Sequence, residues 1–260
     1  MQNLSYHKKL SKFGFTNMIL PKEVKKIIHQ NIFKILQEKL NLEKNLTKNK
    51  ILNEIHKLPQ KKFVSLFGSV SKRYLDKNAA SKINKIITSR KFKKDLKFKD
   101  VSLHYLSLED IKIEPKLDIN QFCIFFRCVR YFKNDVANPH RDCDFWSILN
   151  KNNKPKLPFK KFKRFKIWIP IYGCNDKNSL RFYKYSHLMK IKVGYKKKDK
   201  ALKPFIKKDF LENNKKNIFQ PIQNFKNQCI IFDDKMVHFA PINKSSSIRI
   251  SCEFTLLVKS

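Results

Sequence analysis

Glycine is scarce in this sequence, with only 4 residues among 260. Loops that cradle phosphate groups need several closely spaced glycines, because the backbone there approaches the ligand and adopts positive φ angles. No stretch of the chain supplies such a cluster. The sequence therefore argues against a Rossmann-type or P-loop nucleotide site.

Acidic residues are also few: 21 Asp and Glu stand against 58 Lys and Arg, a formal net charge of +37. Such a charge raises the question of a nucleic acid or an anionic membrane as partner. Here most cations are lysines spread along the whole chain, together with many Asn, Ile and Phe residues. These residue types share A/T-rich codons, so a bias in nucleotide composition accounts for the charge. We therefore expect neither nucleic acid nor membrane as partner, and we keep an anionic small-molecule substrate open.

Long hydrophobic runs and paired cysteines are absent too. No apolar run approaches the roughly 20 residues that span a bilayer, and residues 1–13 lack the apolar segment of a secretory signal. The 6 cysteines stand singly, without a C-x-x-C pair, which is typical of buried thiols in a reducing compartment. These absences predict a cytoplasmic protein.

The pattern of the chain changes near residue 98. Between Pro21 and Phe98, apolar residues recur at three- and four-residue spacing, which predicts several helices. After Asp100, short runs rich in β-branched and aromatic residues predict strands. The predicted strands are 101–106, 122–132, 165–172, 229–232 and 248–258.

Strands without helices between them favour a β sandwich or jelly roll over a doubly wound parallel sheet. We therefore predict a mostly β fold with α, in which a helical N-terminal region, residues 1–98, packs on a β core, residues 99–260. Two Lys-rich stretches, 151–163 and 190–227, have little periodicity and are predicted as loops inserted into that core.

Chemically versatile side chains concentrate at one point of the predicted core, where His140, Asp142 and Asp144 follow Pro139. On an extended strand, His140 and Asp142 would project from the same face. Taken alone, this short pattern is weak and is better explained by a solvated polar turn.

Two residues further along the chain complete a larger pattern. His238 follows a strand-like run, and Arg249 begins the last predicted strand after ten intervening residues. We expect the two to be neighbours in an antiparallel hairpin closed by residues 241–247. Two histidines and one carboxylate are the ligands of non-haem iron(II) oxygenases, which keep positions open for a co-substrate and dioxygen. A guanidinium can bind the distal carboxylate of a 2-oxo acid bidentately.

His140-x-Asp142, His238 and Arg249, in this order and at this interval, resemble the phytanoyl-CoA dioxygenase-like branch of the 2-oxoglutarate/iron(II)-dependent oxygenases. Asn243 matches an asparagine common after the second ligand histidine of that branch. The resemblance covers about residues 100 to 260. It extends to the runs Ile167-Trp168-Ile169-Pro170-Ile171, Asn178-Ser179-Leu180 and Ser186-His187.

The resemblance implies a double-stranded β-helix, the cupin-like jelly roll, and a set of site residues. Arg249 would anchor 2-oxoglutarate, which such enzymes consume together with dioxygen. Trp168 is the candidate for a wall of the oxo-acid pocket, and Arg127 or Arg130 for an assisting contact. Three residues would bind iron(II): His140, Asp142 and His238.

Two neighbouring assignments stay open at this point. Asp144 is an alternative to Asp142 as carboxylate ligand, because it lies two residues further along. His187 is expected to be structural, since a third imidazole would fill a coordination position that the reaction needs open.

The resemblance also implies an activity, the hydroxylation of a small molecule coupled to decarboxylation of 2-oxoglutarate. The runs Trp168-Ile169-Pro170, Gly173-Cys174-Asn175 and Asn178-Ser179-Leu180 are similar to members of the branch found beside carbohydrate-biosynthesis genes. They imply a sugar or surface-polysaccharide precursor as substrate. Two alternatives stay open: a basic, metal-free jelly-roll module that binds RNA or another polyanion, and a metal-dependent isomerase or lyase on the same fold.

Overall fold

The computed structural model describes residues 6–89, 100–104, 124–145, 162–198, 201–222 and 224–259. Helices dominate the first part of the chain, as the spacing of apolar residues predicts. The helices there are α1 (Tyr6–Phe13), α2 (Lys22–Leu40), α3 (Lys48–Lys57), α4 (Gln60–Phe67) and α5 (Lys77–Ile87), followed later by α6 (Lys208–Asn213). Short 3-10 helices lie at Ser71–Arg73, Ser186–Leu188 and Lys215–Asn217.

Helix α2 shows how the sequence builds this layer. Pro21 stands at its N-cap, where the fixed φ of proline suits the start of a helix. Asn41 ends it in the left-handed region with φ 52°, a conformation that Asn tolerates better than most residues. Between the two ends, residues at four-residue spacing form a fully buried stripe that faces the sheet. The stripe consists of Val24, Ile28, Ile32 and Leu36, each 0% exposed.

Within the described residues the main sheet has six antiparallel strands, β1 (Phe15–Ile19), β2 (Asp100–His104), β3 (Phe125–Val129), β4 (Phe162–Tyr172), β9 (Gln228–Asp233) and β11 (Arg249–Lys259). Their order is β1-β9-β4-β11-β2, with β3 also paired to β11. Strand β11 is its centre, because β4 runs along one edge of it while β2 and β3 share the other.

A second sheet lies over the main one and has the strand order β10-β5-β8. Its strands are β5 (Arg181–Tyr183), β8 (Ile218–Phe219) and β10 (His238–Phe239), and a separate hairpin is formed by β6 (Val193–Lys198) and β7 (Ala201–Ile206). A cluster of buried apolar residues fills the space between the two sheets, which we call the interior. It includes Trp168, Phe182, Ile230, Phe232 and Met236.

Successive side chains of β11 point alternately toward the helical layer and toward this interior. Ile250, Cys252, Phe254 and Leu256 are each 0% exposed and belong to the apolar cluster shared with the helices. Arg249, Ser251, Glu253 and Thr255 therefore project from the opposite face. Polar and charged residues of the main sheet thus point into the interior rather than into the helical layer.

The predicted strands coincide with β2, β3, β4, β9 and β11, but the structure differs from the prediction elsewhere. The predicted hairpin between His238 and Arg249 is wrong, because β10 pairs with β5 of the second sheet and not with β11. The stretch 190–227, predicted as a loop, contains β6, β7, α6 and β8. Most of the predicted loop 151–163 lies outside the described residues, and β4 begins at Phe162.

The N-terminal region also contributes a strand to the main sheet. Strand β1 pairs with β9 through a register that sets Phe15 against Phe232. The division of the chain at residue 98 stays a prediction. None of the described helices combines the length and the hydropathy that a bilayer span requires.

Candidate metal and co-substrate site

His140 and His238 lie directly opposite each other in an isolated antiparallel bridge. The amide of His140 donates to the carbonyl of His238 at 3.1 Å, and the amide of His238 donates back at 3.0 Å. Both side chains therefore leave the backbone at the same level, and their ring centroids are 4.4 Å apart. Two residues separated by almost one hundred positions are thus fixed as a pair.

The orientation of each imidazole is set by a nearby carbonyl. Nδ1 of His140 lies 2.7 Å from the carbonyl oxygen of Asn138, and Nδ1 of His238 lies 3.0 Å from that of Met236. A carbonyl oxygen only accepts, so each Nδ1 carries a proton, and the lone pair of the neutral ring is then on Nε2. Carbonyl oxygens that accept from Nδ1 orient metal-binding histidines in the same way.

The carboxylate of Asp142 faces both free nitrogens. Its Oδ1 lies 3.7 Å from Nε2 of His140 and its Oδ2 lies 3.9 Å from Nε2 of His238. Ligand atoms of the three residues all lie within 4.8 Å of one another. Asp142 begins a helical turn rather than continuing a strand, so the predicted extended geometry of residues 140–142 is wrong although the two side chains do meet.

Burial and charge hold this group in a state suited to metal binding. Burial, reinforced by the neighbouring His238, lowers the pKa of His140 to about 4. For Asp142, burial alone would raise the pKa, but Lys166 and the two histidines outweigh it and lower the pKa to about 2. At neutral pH His140 is therefore neutral and Asp142 is ionised, as metal ligands must be.

The side chains of Asp144 and His187 make contacts outside the group formed by His140, Asp142 and His238. The carboxylate of Asp144 accepts two hydrogen bonds from Arg141, at 2.6 and 2.9 Å. Nε2 of His187 lies 3.3 Å from the carbonyl oxygen of Ser11, a contact to α1 that fits a structural role. Of the two acidic residues considered from sequence, Asp142 is the one that joins both histidines.

Arg249 begins β11 inside the interior and is 1% exposed. Its Nη1 donates to the carbonyl oxygen of Asn178 at 2.6 Å, which fixes the guanidinium from one side. Its Nε is buried and has no hydrogen-bond partner among the described residues. One edge of this guanidinium is therefore available to an acceptor from outside the chain.

Asn243 organises the loop that carries the chain from the second sheet to Arg249. Its Nδ2 donates to the carbonyl oxygens of Val129 and Ser247, at 3.2 and 2.8 Å. Its Oδ1 accepts from Nδ2 of Asn178 at 3.1 Å. Asn178 is the same residue whose carbonyl holds Arg249, so the two asparagines together position the guanidinium.

The wall beside Arg249 carries further buried polar atoms without partners. Ser251 follows on the same face of β11, and Trp168 is level with Glu253 on the adjacent strand β4. The hydroxyl of Ser251 and Nε1 of Trp168 have no hydrogen-bond partner within the described part of the chain. Because buried polar groups are normally paired, these donors mark a place where a polar ligand fits.

The two arginines considered from sequence have different surroundings. Arg130 is fully buried and binds Asp135 through Nε at 2.8 Å and Nη2 at 3.0 Å, with Nη1 on the carbonyl of Leu58 at 2.6 Å. It therefore ties β3 to the helices and does not enter the interior. Arg127 does enter it, and its Nε donates to Glu253 at 2.8 Å.

Sequence reasoning missed two charged residues of the interior, Lys166 and Glu253. Nζ of Lys166 lies 3.7 Å from Oδ2 of Asp142, and Glu253 accepts the bond from Arg127. A signal was available, because Lys166 interrupts the apolar run Phe165–Pro170 and Glu253 interrupts the run Ile250–Leu256. A charge in the middle of a buried strand has to face a polar space.

No family model matches the sequence, and no curated protein matches it. Solved structures do match. The structure of EctD from S. alaskensis with 2-oxoglutarate and 5-hydroxyectoine is 11% identical, with 99% of this chain and 78% of that chain covered and a TM-score of 0.55. EctD with bound Fe matches over the same shares at 11% identity and a TM-score of 0.53. The apo form of the non-heme monooxygenase ThoJ is 10% identical, with 96% and 76% covered and a TM-score of 0.52.

The chain has the fold of EctD and ThoJ. The predicted fold class, a cupin-like jelly roll preceded by helices, is thereby confirmed. Sequence identities of about one residue in ten show a common fold only. The chemistry of this chain depends on its own side chains.

Proposed function

We propose that this protein is a non-haem iron(II)- and 2-oxoglutarate-dependent oxygenase that hydroxylates a small molecule. One observation carries the proposal: His140, Asp142 and His238 bring their ligand atoms within 4.8 Å of one another in the same interior that holds the buried Arg249. A metal triad and a guanidinium that face the same interior are what binding of a 2-oxo acid at the metal would require.

The three triad residues fit iron(II) by their chemistry. Two imidazoles and one carboxylate suit a divalent first-row metal, and three protein ligands leave positions open. Oδ2 of Asp142 is buried and has no hydrogen-bond partner among the described residues. A cation bound there would satisfy an acceptor that the described residues leave without a hydrogen bond.

The wall next to the triad fits the co-substrate. Nε of Arg249, the hydroxyl of Ser251 and Nε1 of Trp168 are buried donors without partners in the described residues. A five-carbon diacid offers carboxylate oxygens to such donors, and the guanidinium adds a charge-assisted bond. Arg127 stays the proposed assisting residue, with Glu253 as its partner in the protein.

Each side chain then has a defined part in the reaction. Bound iron(II) would supply the activation of dioxygen that couples oxidation of the oxo acid to hydroxylation. His140 and His238 hold the metal through Nε2 while the carbonyls of Asn138 and Met236 retain the Nδ1 protons. Arg249 selects the diacid, and the fully buried Trp168 excludes water from its pocket.

The similar structures support this reading, since EctD is described with Fe and with 2-oxoglutarate. For the substrate we propose a sugar or a surface-polysaccharide precursor, on the likeness of the runs around Trp168 and Gly173–Leu180 noted above. We also propose that residues 1–98 serve as a buttress for the catalytic core.

The test is anaerobic addition of iron(II) and 2-oxoglutarate to the purified protein. We expect the weak visible absorption of the ternary complex. His238→Ala should abolish it, and Arg249→Gln should retain metal binding but weaken 2-oxoglutarate by roughly ten- to a hundredfold, the range for a lost charge-assisted hydrogen bond. Wild-type protein without this absorption, or an unaffected Arg249→Gln variant, contradicts the proposal.

A further inference from the structure

Lys166 lies inside the protein, beside the proposed metal ligands. It is 8% exposed, and among the described side chains it is the one lysine that is buried. Its Nζ lies 5.2 Å from the ring centroid of Phe125, close enough for a cation–π contact. Burial of a lysine is costly and rarely occurs without a partner, so the position of this ammonium needs an explanation.

The contacts of Lys166 inside the protein do not satisfy its ammonium group. Its Nζ lies 3.7 Å from Oδ2 of Asp142, which is an ion pair but longer than a hydrogen bond. This nitrogen makes no hydrogen bond with the described residues, whereas an ammonium has three N–H donors to place. The donors of Lys166 are therefore open to a ligand.

The other cations of the interior are already engaged. Arg127 is bound to Glu253 at 2.8 Å. Arg249 donates to the carbonyl of Asn178, and its remaining edge is assigned to the diacid. Among the cations of the described interior, Lys166 is thus the one whose N–H donors have no assigned acceptor.

Metal binding would increase this imbalance. A divalent cation held by Asp142 competes with Lys166 for the same carboxylate, and like charges a few ångströms apart repel. Glu253 offsets the charge of Lys166 only in part, because it also neutralises Arg127. An anionic group from another molecule is what would restore the balance next to the triad.

We propose that the substrate carries an acidic group, a carboxylate or a phosphate, and that Lys166 binds it at the edge of the metal triad. This inference rests on the proposed function and names the substrate class of the same site. Lys166 is level with Thr255 on β11, whereas Arg249 lies six residues earlier on that strand. The two cations thus stand at separate levels of the inner face, one for the substrate and one for the oxo acid.

The experiment uses matched acidic and neutral probes on the protein loaded anaerobically with iron(II) and saturating 2-oxoglutarate. The pairs are galacturonate with galactose and glucose 6-phosphate with glucose, so that one arm reports on carboxylate and the other on phosphate. Binding is measured calorimetrically, and the visible absorption of the complex is recorded in parallel. Saturating 2-oxoglutarate keeps the acidic probes out of the Arg249 pocket.

We expect wild-type protein to bind the acidic member of at least one pair roughly tenfold or more tightly than the neutral member, the effect of one charge-assisted hydrogen bond. Lys166→Met should lose this preference and keep the visible absorption. Lys166→Arg should retain part of the preference. Lys163→Met, which removes an exposed lysine from the same strand, should leave it intact.

Three results overturn the inference. They are wild-type binding that does not discriminate within either pair, an acid preference that survives in Lys166→Met, and loss of the visible absorption in Lys166→Met, which would make Lys166 a positioning residue for Asp142. Failure of the proposed function looks different, because wild-type protein would then show no absorption with iron(II) and 2-oxoglutarate at all.

Discussion

At the scale of single residues, the interior donors without partners have opposite effects on the free and the liganded protein. A buried hydroxyl without a hydrogen bond costs free energy in the empty site. The same hydroxyl stabilises the complex once a carboxylate accepts from it. Ser251, which is 0% exposed and has no partner among the described residues, is the simplest case to measure.

Ser251→Ala should therefore leave the free energy of unfolding of the metal-free protein unchanged or raise it by up to about 1 kcal/mol, since it removes an unpaired hydroxyl without opening a cavity. Affinity for 2-oxoglutarate should fall by roughly three- to tenfold, the value of one lost hydrogen bond. Urea denaturation and calorimetric titration measure the two effects.

Ser245→Ala is the matched control. The single proton of the Ser245 hydroxyl is donated to Oδ1 of Asn243 at 2.6 Å, and the carbonyl oxygen of Ser247 lies 3.1 Å away. Its loss should therefore lower stability by about 1 kcal/mol. A loss of stability in Ser251→Ala equal to that in Ser245→Ala would show that Ser251 has a partner in the protein.

The residues of the proposed site were predictable to different degrees. His140, Asp142, His238 and Arg249 stood out because their order and spacing form a motif that the iron chemistry explains. Lys166 did not stand out, because one more lysine carries little information in a chain with 58 Lys and Arg. Its position in the interior becomes visible only in the structure, where the alternation of side chains along β4 shows which face of the sheet Lys166 occupies.

At the scale of secondary-structure elements, Arg130 and Asp135 join the end of β3 to the helical layer. Their side chains are each 1% exposed, and the guanidinium lies 3.9 Å from the ring centroid of Phe63 on α4. Breaking a buried ion pair leaves one charge uncompensated in a medium of low dielectric constant. This contact should therefore matter for stability far more than an ion pair on the surface.

Asp135→Asn should lower the free energy of unfolding by roughly 3–5 kcal/mol, the typical cost of an uncompensated buried charge. The measurement is urea denaturation, with Glu54→Gln as control. Glu54 pairs with Lys57 at 2.8 Å but both side chains are largely exposed, so its replacement should cost under about 1 kcal/mol. Equal effects of the two substitutions would refute the structural role given to Arg130.

The elements themselves were predicted unevenly. The five long strands of the core were visible in the sequence, because runs of β-branched and aromatic residues mark buried strands. Strand β10 consists of only His238 and Phe239, too short for any periodicity. Its pairing with β5 therefore could not be read from the sequence, and the shorter route, a hairpin with β11, was predicted in error.

At the scale of the whole molecule, the net charge of +37 makes contact with polyanions a physical expectation whatever the protein does. Apart from Lys166, the lysines whose exposure is described lie at least partly at the surface. Attraction between such a surface and RNA is dominated by counterion release and is steeply salt-dependent. It does not by itself indicate a recognition site.

We accordingly expect a single-stranded RNA oligonucleotide to bind weakly and to lose at least tenfold in affinity between 50 and 200 mM salt, as phosphate contacts do. 2-Oxoglutarate should not compete with it, and His238→Ala should not change it. Fluorescence anisotropy measures all three. Tight binding that persists in salt would instead favour a polyanion-binding module.

The position of β1 has a consequence for how the protein is made. Phe15 pairs with Phe232, so strand β1 leaves the ribosome more than two hundred residues before the strand that it pairs with. Contacts so distant in sequence slow folding. Until β9 and β11 have been synthesised, the apolar stripe of α2 lacks the complete sheet that buries it. This exposed surface can bind chaperones or other copies of the nascent chain.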